Sequence, residues 1–200
     1  MSGITKLMTA GGGGVALTPA SSIASDVTVN VPSVNGTLLI PGQASAITAG
    51  TAVASTSGTS IDFTSIPSWV KRITVMFSAV SVSGTDQIWI RLGSAGGFVT
   101  SSTYNGTCWS EVPAIANFTT AFIVVVGNTA AGSWHGNIVF DNITSNVWTM
   151  NGSLSGSSAA TIRIFSGSLD VGAALTQLRI MPSGVGSNTF DAGSINILYE

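Results

Sequence analysis

The stretch Lys71-Arg72-Ile73-Thr74-Val75-Met76-Phe77-Ser78-Ala79 decides the fold class. Ile73, Val75, Phe77 and Ala79 alternate with Thr74, Met76 and Ser78. A period of two is what a strand with one buried face requires. The same alternation returns further along. Ile88, Ile90 and Leu92 oppose Gln87, Trp89 and Arg91; Ile162 and Ile164 oppose Arg163 and Phe165; Ile195, Ile197 and Tyr199 oppose Asn196 and Leu198. Phe118 to Val126 is nearly continuous apolar sequence, as expected of a strand covered on both faces.

Turn residues separate these runs: Ser83-Gly84-Thr85, Gly93 to Gly97, Asn105-Gly106, Gly127-Asn128, Asn151-Gly152, Ser166-Gly167 and Ser183 to Ser187. Gly and Pro interrupt most helical windows. The Gly-free stretches are rich in Val, Ile, Thr and Phe, which favour strands. Leu175 to Met181, the one weak helical candidate, alternates better than it repeats at 3.6. The reading is an all-β chain: an antiparallel β-sandwich or jelly-roll-like domain over residues 58–200. Residues 44–57 are small and polar and read as a linker. Residues 1–43 read as an extended N-terminal arm with short β segments, Val15 to Leu17, Asp26 to Val31 and Thr37 to Ile40, punctuated by Pro19, Pro32 and Pro41. Each piece is too short to fold alone and needs another surface or another copy. Its apolar residues Ile4, Leu7, Val15, Leu17, Val27, Val29, Val31, Leu38, Leu39 and Ile40 are the candidates for assembly or attachment.

Charged residues make up only 7% of the 200-residue chain, and its net charge is −2. Typical soluble domains carry roughly 25% charged residues. The polar share is Ser, Thr, Asn and Gly instead. A surface so poor in charge is weakly protected against association, so intended association is the simpler reading. Lys6, Lys71, Arg72, Arg91, Arg163 and Arg179 are scattered and form no basic patch for nucleic acid. The single cysteine, Cys108, excludes an intrachain disulfide and reads as a small buried residue. No apolar run follows Lys6 as a signal peptide would require, and Ala121 to Val126 is too short to cross a membrane as a helix. An outer-membrane barrel fits poorly with such short, uneven strands.

The chemistry-bearing residues are sparse. His135 is the one histidine, and it stands at an expected strand start rather than in a catalytic motif. Gly152-Ser153-Leu154-Ser155-Gly156 has Leu where a nucleophile elbow needs Ser. The eight carboxylates form no close sequence pair. The chain is therefore read as non-enzymatic, with no cofactor and no metal. Trp109, Trp134 and Trp148 lie near turns and are the candidates for stacking on a receptor glycan, against a plainer role in the core rim or a subunit interface.

One resemblance sharpens this. Gly58-Thr59-Ser60-Ile61-Asp62-Phe63-Thr64-Ser65-Ile66-Pro67-Ser68-Trp69-Val70, running on through Lys71-Arg72 to Phe77, resembles a module of bacteriophage tail-fibre and other virion appendage proteins, head-fibre and capsid-decoration types among them. Asp191 to Glu200 resembles the closing strand of that module, and Val15 to Pro19, Asp26 to Pro32 and Gly36 to Leu38 resemble short β segments of phage fibre proteins. The resemblance implies a virion structural protein, a homotrimer, made in the host cytoplasm and docked onto other virion proteins of capsid or tail. It brings no catalytic residues. A short fibre or a capsid-decorating (cement) protein is the expected role; a host-receptor or carbohydrate-binding module on the same scaffold is the alternative. Within the motif, Ile66-Pro67-Ser68-Trp69 is expected as a turn entering a long strand, with Pro67 at the strand's start, Trp69 as a cap on the core, and Lys71 and Arg72 toward solvent or a carboxylate.

Overall fold

The computed structural model describes residues 5–8, 14–17, 47–111, 114–157, 161–184 and 188–200. The chain divides into two units, Met1–Ala44 and Ser45–Glu200. In the first, β1 (Thr5–Met8) pairs antiparallel with β2 (Gly14–Leu17), placing Leu7 opposite Val15 and Thr5 opposite Leu17. β2 covers the expected short segment Val15 to Leu17. β1 falls where only an arm was expected. Of the attachment candidates, Leu7, Val15 and Leu17 belong to this hairpin, whereas Ile4, Val27, Val29, Val31, Leu38, Leu39 and Ile40 lie outside the described residues.

In the second unit every described element is a strand. They are β3 (Thr48–Ala49), β4 (Val53–Ala54), β5 (Ile61–Phe63), β6 (Arg72–Val82), β7 (Ile88–Ser94), β8 (Gly97–Phe98) and β9 (Asn105–Ser110). There follow β10 (Ala114–Asn117), β11 (Phe122–Val125), β12 (Trp134–Thr144), β13 (Val147–Gly156), β14 (Thr161–Asp170), β15 (Gln177–Pro182) and β16 (Phe190–Tyr199). Two antiparallel sheets pack together as a β-sandwich. The larger runs β10-β9-β14-β13-β12-β6-β16-β3, with β4 also on β16; the smaller runs β11-β7-β15-β5, with β8 on β7. The chain switches sheets at eight of the thirteen connections from β3 to β16, while β12-β13-β14 form a simple meander. Such switching builds one core from residues distant in sequence. Ile73, Val75, Ile138, Phe140 and Ile197 of the large sheet and Ile88, Ile90, Leu92, Leu178 and Ile180 of the small one share a single buried cluster. Phe122 of β11 meets Phe140 of β12 at 5.7 Å between ring centroids and Tyr104 edge-on at 4.9 Å.

The alternation of β6 breaks at Ala79, and this corrects the sequence reading. Ile73, Val75 and Phe77 point inward, but the next inward residues are Val80 and Val82. Ala79 has φ 53°, a left-handed conformation rare for alanine. The extra length forms a bulge against both neighbours: Phe77 pairs with Gly136 and Val80 with Trp134 on one side, and Ser78 pairs with Ser194 and Ser81 with Ala192 on the other. Opposite the bulge stands Gly193, φ 93°, where a Cβ would collide with the Ala79 carbonyl. The Ala79 N–H, displaced from the ladder, donates to His135 Nδ1 at 3.2 Å. The lone histidine is thus a strand residue serving a backbone group.

Two further expectations change, for Trp69 and for the linker. Trp69 lies in the turn before β6 and is 56% exposed, tilted against Tyr199 at 6.0 Å; Ile66 and Val70 cap the core in its place. Pro67 belongs to that same turn ahead of the strand, as expected, its carbonyl accepting the Val70 N–H. Within the expected linker, Thr48–Ala49 and Val53–Ala54 are paired to β16, and Ser55 is fully buried with its hydroxyl donating to the Ala192 carbonyl. Small polar sequence reads as linker, but short residues also suit a sheet edge. Lys71 and Arg72 behave as expected: Lys71 Nζ donates to Asn142 Oδ1, and Arg72 bridges Asp141 and Glu200.

The bulge makes a direct prediction. Ala79→Gly relieves the left-handed alanine and is expected to stabilise the protein by about 0.5–1 kcal/mol. Gly193→Ala is expected to destabilise it by about 2 kcal/mol or more. Urea unfolding midpoints at unchanged m-value read both effects.

Candidate interaction surfaces

Most polar groups inside the sandwich are committed to each other; among the described residues Asp86 Oδ2 is buried without a hydrogen-bond partner. Arg163 points inward from β14 and is only 2% exposed. Its Nε donates to the Val126 carbonyl at 2.7 Å, and its other nitrogens reach the Ile162 and Gly127 carbonyls. Its guanidinium lies 4.8 Å from the ring centroid of Trp134. Burial lowers its pKa from the ordinary arginine value, but three carbonyls and an aromatic face hold the cation in place. Trp134 Nε1 donates to Asn128 Oδ1 at 2.9 Å, and Asn128 Nδ2 donates to the Asp86 and Gly84 carbonyls. This chain of contacts ties the turn after β6, the exit from β11 and the start of β12 into one plug.

Five of the carboxylates are spent in the same way. Asp62 takes a two-pronged bond from Arg179, which also lies over Phe98 at 4.3 Å. Asp141 and Glu200 accept from Arg72, Glu111 accepts the Ile162 N–H, and Asp170 accepts the Gly172 N–H. Among the described residues no group of three or more His, Cys, Asp or Glu side chains gathers as a metal site. Nor is any helix among them long and apolar enough to cross a membrane.

Of the tryptophan candidates, Trp134 and Trp148 are buried and belong to the core, so neither is placed to meet a receptor. Trp109 is 44% exposed on the outer face of β9. Its cross-strand neighbour Ile164 is 51% exposed, and Ile162, two residues along β14, is 37% exposed. The sequence alternation of β14 therefore resolves with Arg163 and Phe165 inside and both isoleucines outside. Sequence reading missed this pair because either face could have been the buried one.

Register extends the patch into a field. One row crosses six strands as Trp109, Ile164, Ser153, Asn137, Met76 and Asn196. The adjacent row on the same face reads Thr107, Ser166, Asn151, Val139, Thr74 and Leu198. Neither row contains a charge. Five strand spacings of about 4.8 Å make the field about 24 Å wide. Charge returns in the flanking rows, at Asp141, Arg72 and Glu200 on one side and at Glu111 beside Ile162 on the other. The face offers hydroxyls, amides and apolar side chains, with its largest apolar group at the β9–β14 end.

At the other end of the same sheet lies a small cavity of about 60 Å³, lined by Ile47, Arg72, Thr74, Leu198, Tyr199 and Glu200. Comparison with family models, with curated proteins and with solved structures returns no match for this chain.

Cys108 supplies the pH prediction. Burial pushes its thiol up from 9.0 to about 11, partly offset by the charge on Arg163. Burial likewise pushes the Tyr104 phenol up from 10.0 to about 12. Above pH 9 the unfolded chain releases these protons while the folded chain keeps them, so stability falls as pH rises through that window. The melting temperature is expected to drop steadily from pH 8.5 to pH 11. A separate expectation concerns the plug. Arg163→Met strands the Val126 and Gly127 carbonyls and is expected to cost about 2–4 kcal/mol in urea unfolding.

Proposed function

We propose that this chain is a bacteriophage virion structural protein. It is a homotrimeric short fibre or capsid-decorating protein that attaches through its N-terminal segment and displays the β-sandwich. The observation that carries the reading is the uncharged outer face of the large sheet, with Trp109, Ile164 and Ile162 exposed side by side. Isolated exposed apolar residues are ordinary on a monomer, but a contiguous group on a charge-free field suits burial against protein. The composition agrees: with 7% charged residues, few side chains would oppose contact between copies. The interior network of Arg163, Trp134 and Asn128 also suits a mechanical role, in which the sandwich is a rigid block. The resemblance of Gly58 to Phe77 and of Asp191 to Glu200 to phage appendage modules supplies the virion setting.

A second reading, a host-receptor or carbohydrate-binding module, draws support from Trp109 itself. A half-exposed indole beside amide and hydroxyl side chains is able to stack on a sugar ring. Binding to a glycan array that disappears in Trp109→Ala, with assembly intact, favours this second reading.

The proposed function is tested by light scattering on the full chain together with immunogold labelling of purified phage particles. The expected results are a mass three times the 20.2 kDa of one chain and gold on the particle surface. A single-chain mass at all concentrations, or particles without label, contradicts it.

A further inference from the structure

The outer face of the small sheet carries a cavity that assembly through the large sheet does not use. It measures about 280 Å³, close to the lower bound of small-molecule pockets, about 300–1,000 Å³. The hydroxyls of Thr59 and Ser60, the amide of Asn188 and the guanidinium of Arg179 line it on the polar side; Met181 and Pro182 supply the apolar part. Strand register places the surroundings. Met181 stands opposite half-buried Trp89 of β7, and Arg179 stands between Arg91 of β7 and Asp62 of β5. Two guanidiniums therefore oppose each other directly across a strand pair, where like charges are destabilising. One carboxylate serves the two. Asp62 bonds Arg179 with both oxygens, at Nε and Nη2. Among the described residues no carboxylate pairs with Arg91, whose Nε donates to the Thr120 carbonyl and whose guanidinium lies 5.8 Å from the Trp89 ring centroid. Asp86, just before β7, forms no ion pair with either arginine, and its Oδ2 is buried.

We propose that this cavity binds an acidic saccharide, a sugar ring carrying one carboxylate. The lining matches the two sides of such a ring. Its hydroxyls both donate and accept, as Thr59, Ser60 and Asn188 do, and its C–H face suits the thioether of Met181 and the ring of Pro182. The carboxylate supplies the anion that the Arg91–Arg179 pair lacks. Guanidiniums bind carboxylates through charge-assisted bonds, and Asp62 leaves Nη1 of Arg179 for that purpose. A neutral sugar would leave Arg91 uncompensated. A bare inorganic anion would leave the hydroxyls and the apolar lining unfilled. The site uses the small sheet rather than the face that carries Trp109, so the inference goes beyond both readings above and holds whether or not copies assemble.

Saturation-transfer NMR on the full chain tests it. The probes are the methyl glycosides of glucuronic, galacturonic and N-acetylneuraminic acid, with methyl glucoside as the neutral control and inorganic phosphate as a competitor. At least one acid is expected to receive saturation more strongly than methyl glucoside and to keep it when an equal concentration of phosphate is added. Ser60→Trp, at an exposed residue, fills the cavity and is expected to abolish the signal. Arg91→Gln is expected to weaken binding of the acid about tenfold, bringing its response down to that of methyl glucoside. Circular dichroism melts check folding. If Ser60→Trp melts early, Asn188→Asp replaces it, since it keeps the side chain's shape and sets a carboxylate against the ligand's own. Several results overturn the inference: no saturation of any of the three acids, an equal response from methyl glucoside, or displacement by phosphate, which would mean a bare anion slot. A preference for the acid that survives Arg91→Gln, or binding that survives the cavity variant, also overturns it. Loss of binding in Trp109→Ala but not in Ser60→Trp would move the sugar to the large sheet. None of these results alters the mass read by light scattering, so the assembly reading stands or falls separately.

Discussion

The register of β6 is the constraint on which the rest of this structure depends. β6 pairs with β12 on one side and β16 on the other, and its inward residues lie at the heart of the core. A strand's side chains alternate between faces, so a slip of one residue turns every one of them over. The bulge at Ala79 performs one such slip within the strand. It carries Phe77 inward before the bulge and Val80 and Val82 inward after it. Both neighbours accommodate the extra length at the same level, through Gly193 on β16 and His135 and Gly136 on β12. The turn beyond β6 then meets the Asn128–Trp134–Arg163 plug.

That plug explains where the chain's few charges go. Arg163 is wholly inside, and Arg72 and Arg179 are tied to carboxylates at the margins. Exposed ion pairs of this kind add little stability. Their effect is on distribution: charge is drawn to the ends and edges of the sandwich, leaving the middle of the outer face neutral. A sheet face with hydroxyls, amides and a few large apolar groups loses little on desolvation, because no ion has to be stripped of water. Low charge content and the placement of the remaining charges thus lead to the same surface.

Much of the architecture is legible along the chain. The period-two runs of β7, β15 and β16 match their buried faces, and the continuous apolar run at Ala121 to Val126 is buried throughout. Local sequence carries that information directly. What it does not carry is long-range pairing. The bulge exists because of residues some 56 and 114 positions away, at His135 and Gly193, and Ala79 alone gives no sign of it. Thr48–Ala49 and Val53–Ala54 become strands only because the edge of β16 is there to receive them. Trp134 and Trp148 sit near turns in sequence yet are buried, since turn proximity says nothing about which face a strand presents. In β14 both faces hold large side chains, and only the whole sandwich decides that Arg163 goes in and Ile162 and Ile164 go out.

Hydroxyl-radical footprinting tests the central claim, that the neutral outer face is covered by protein, most directly. The full chain is oxidised at high concentration and again after dilution, and each tryptophan is followed by mass spectrometry. Trp134 and Trp148, 2% and 3% exposed within a single chain, serve as internal controls and should stay unreactive throughout. The account predicts that Trp109 and Ile164 are protected at high concentration and become reactive on dilution, while exposed residues elsewhere on the sandwich do not change. Equal oxidation of Trp109 at both concentrations would mean that this face stays open to water, and would contradict the account.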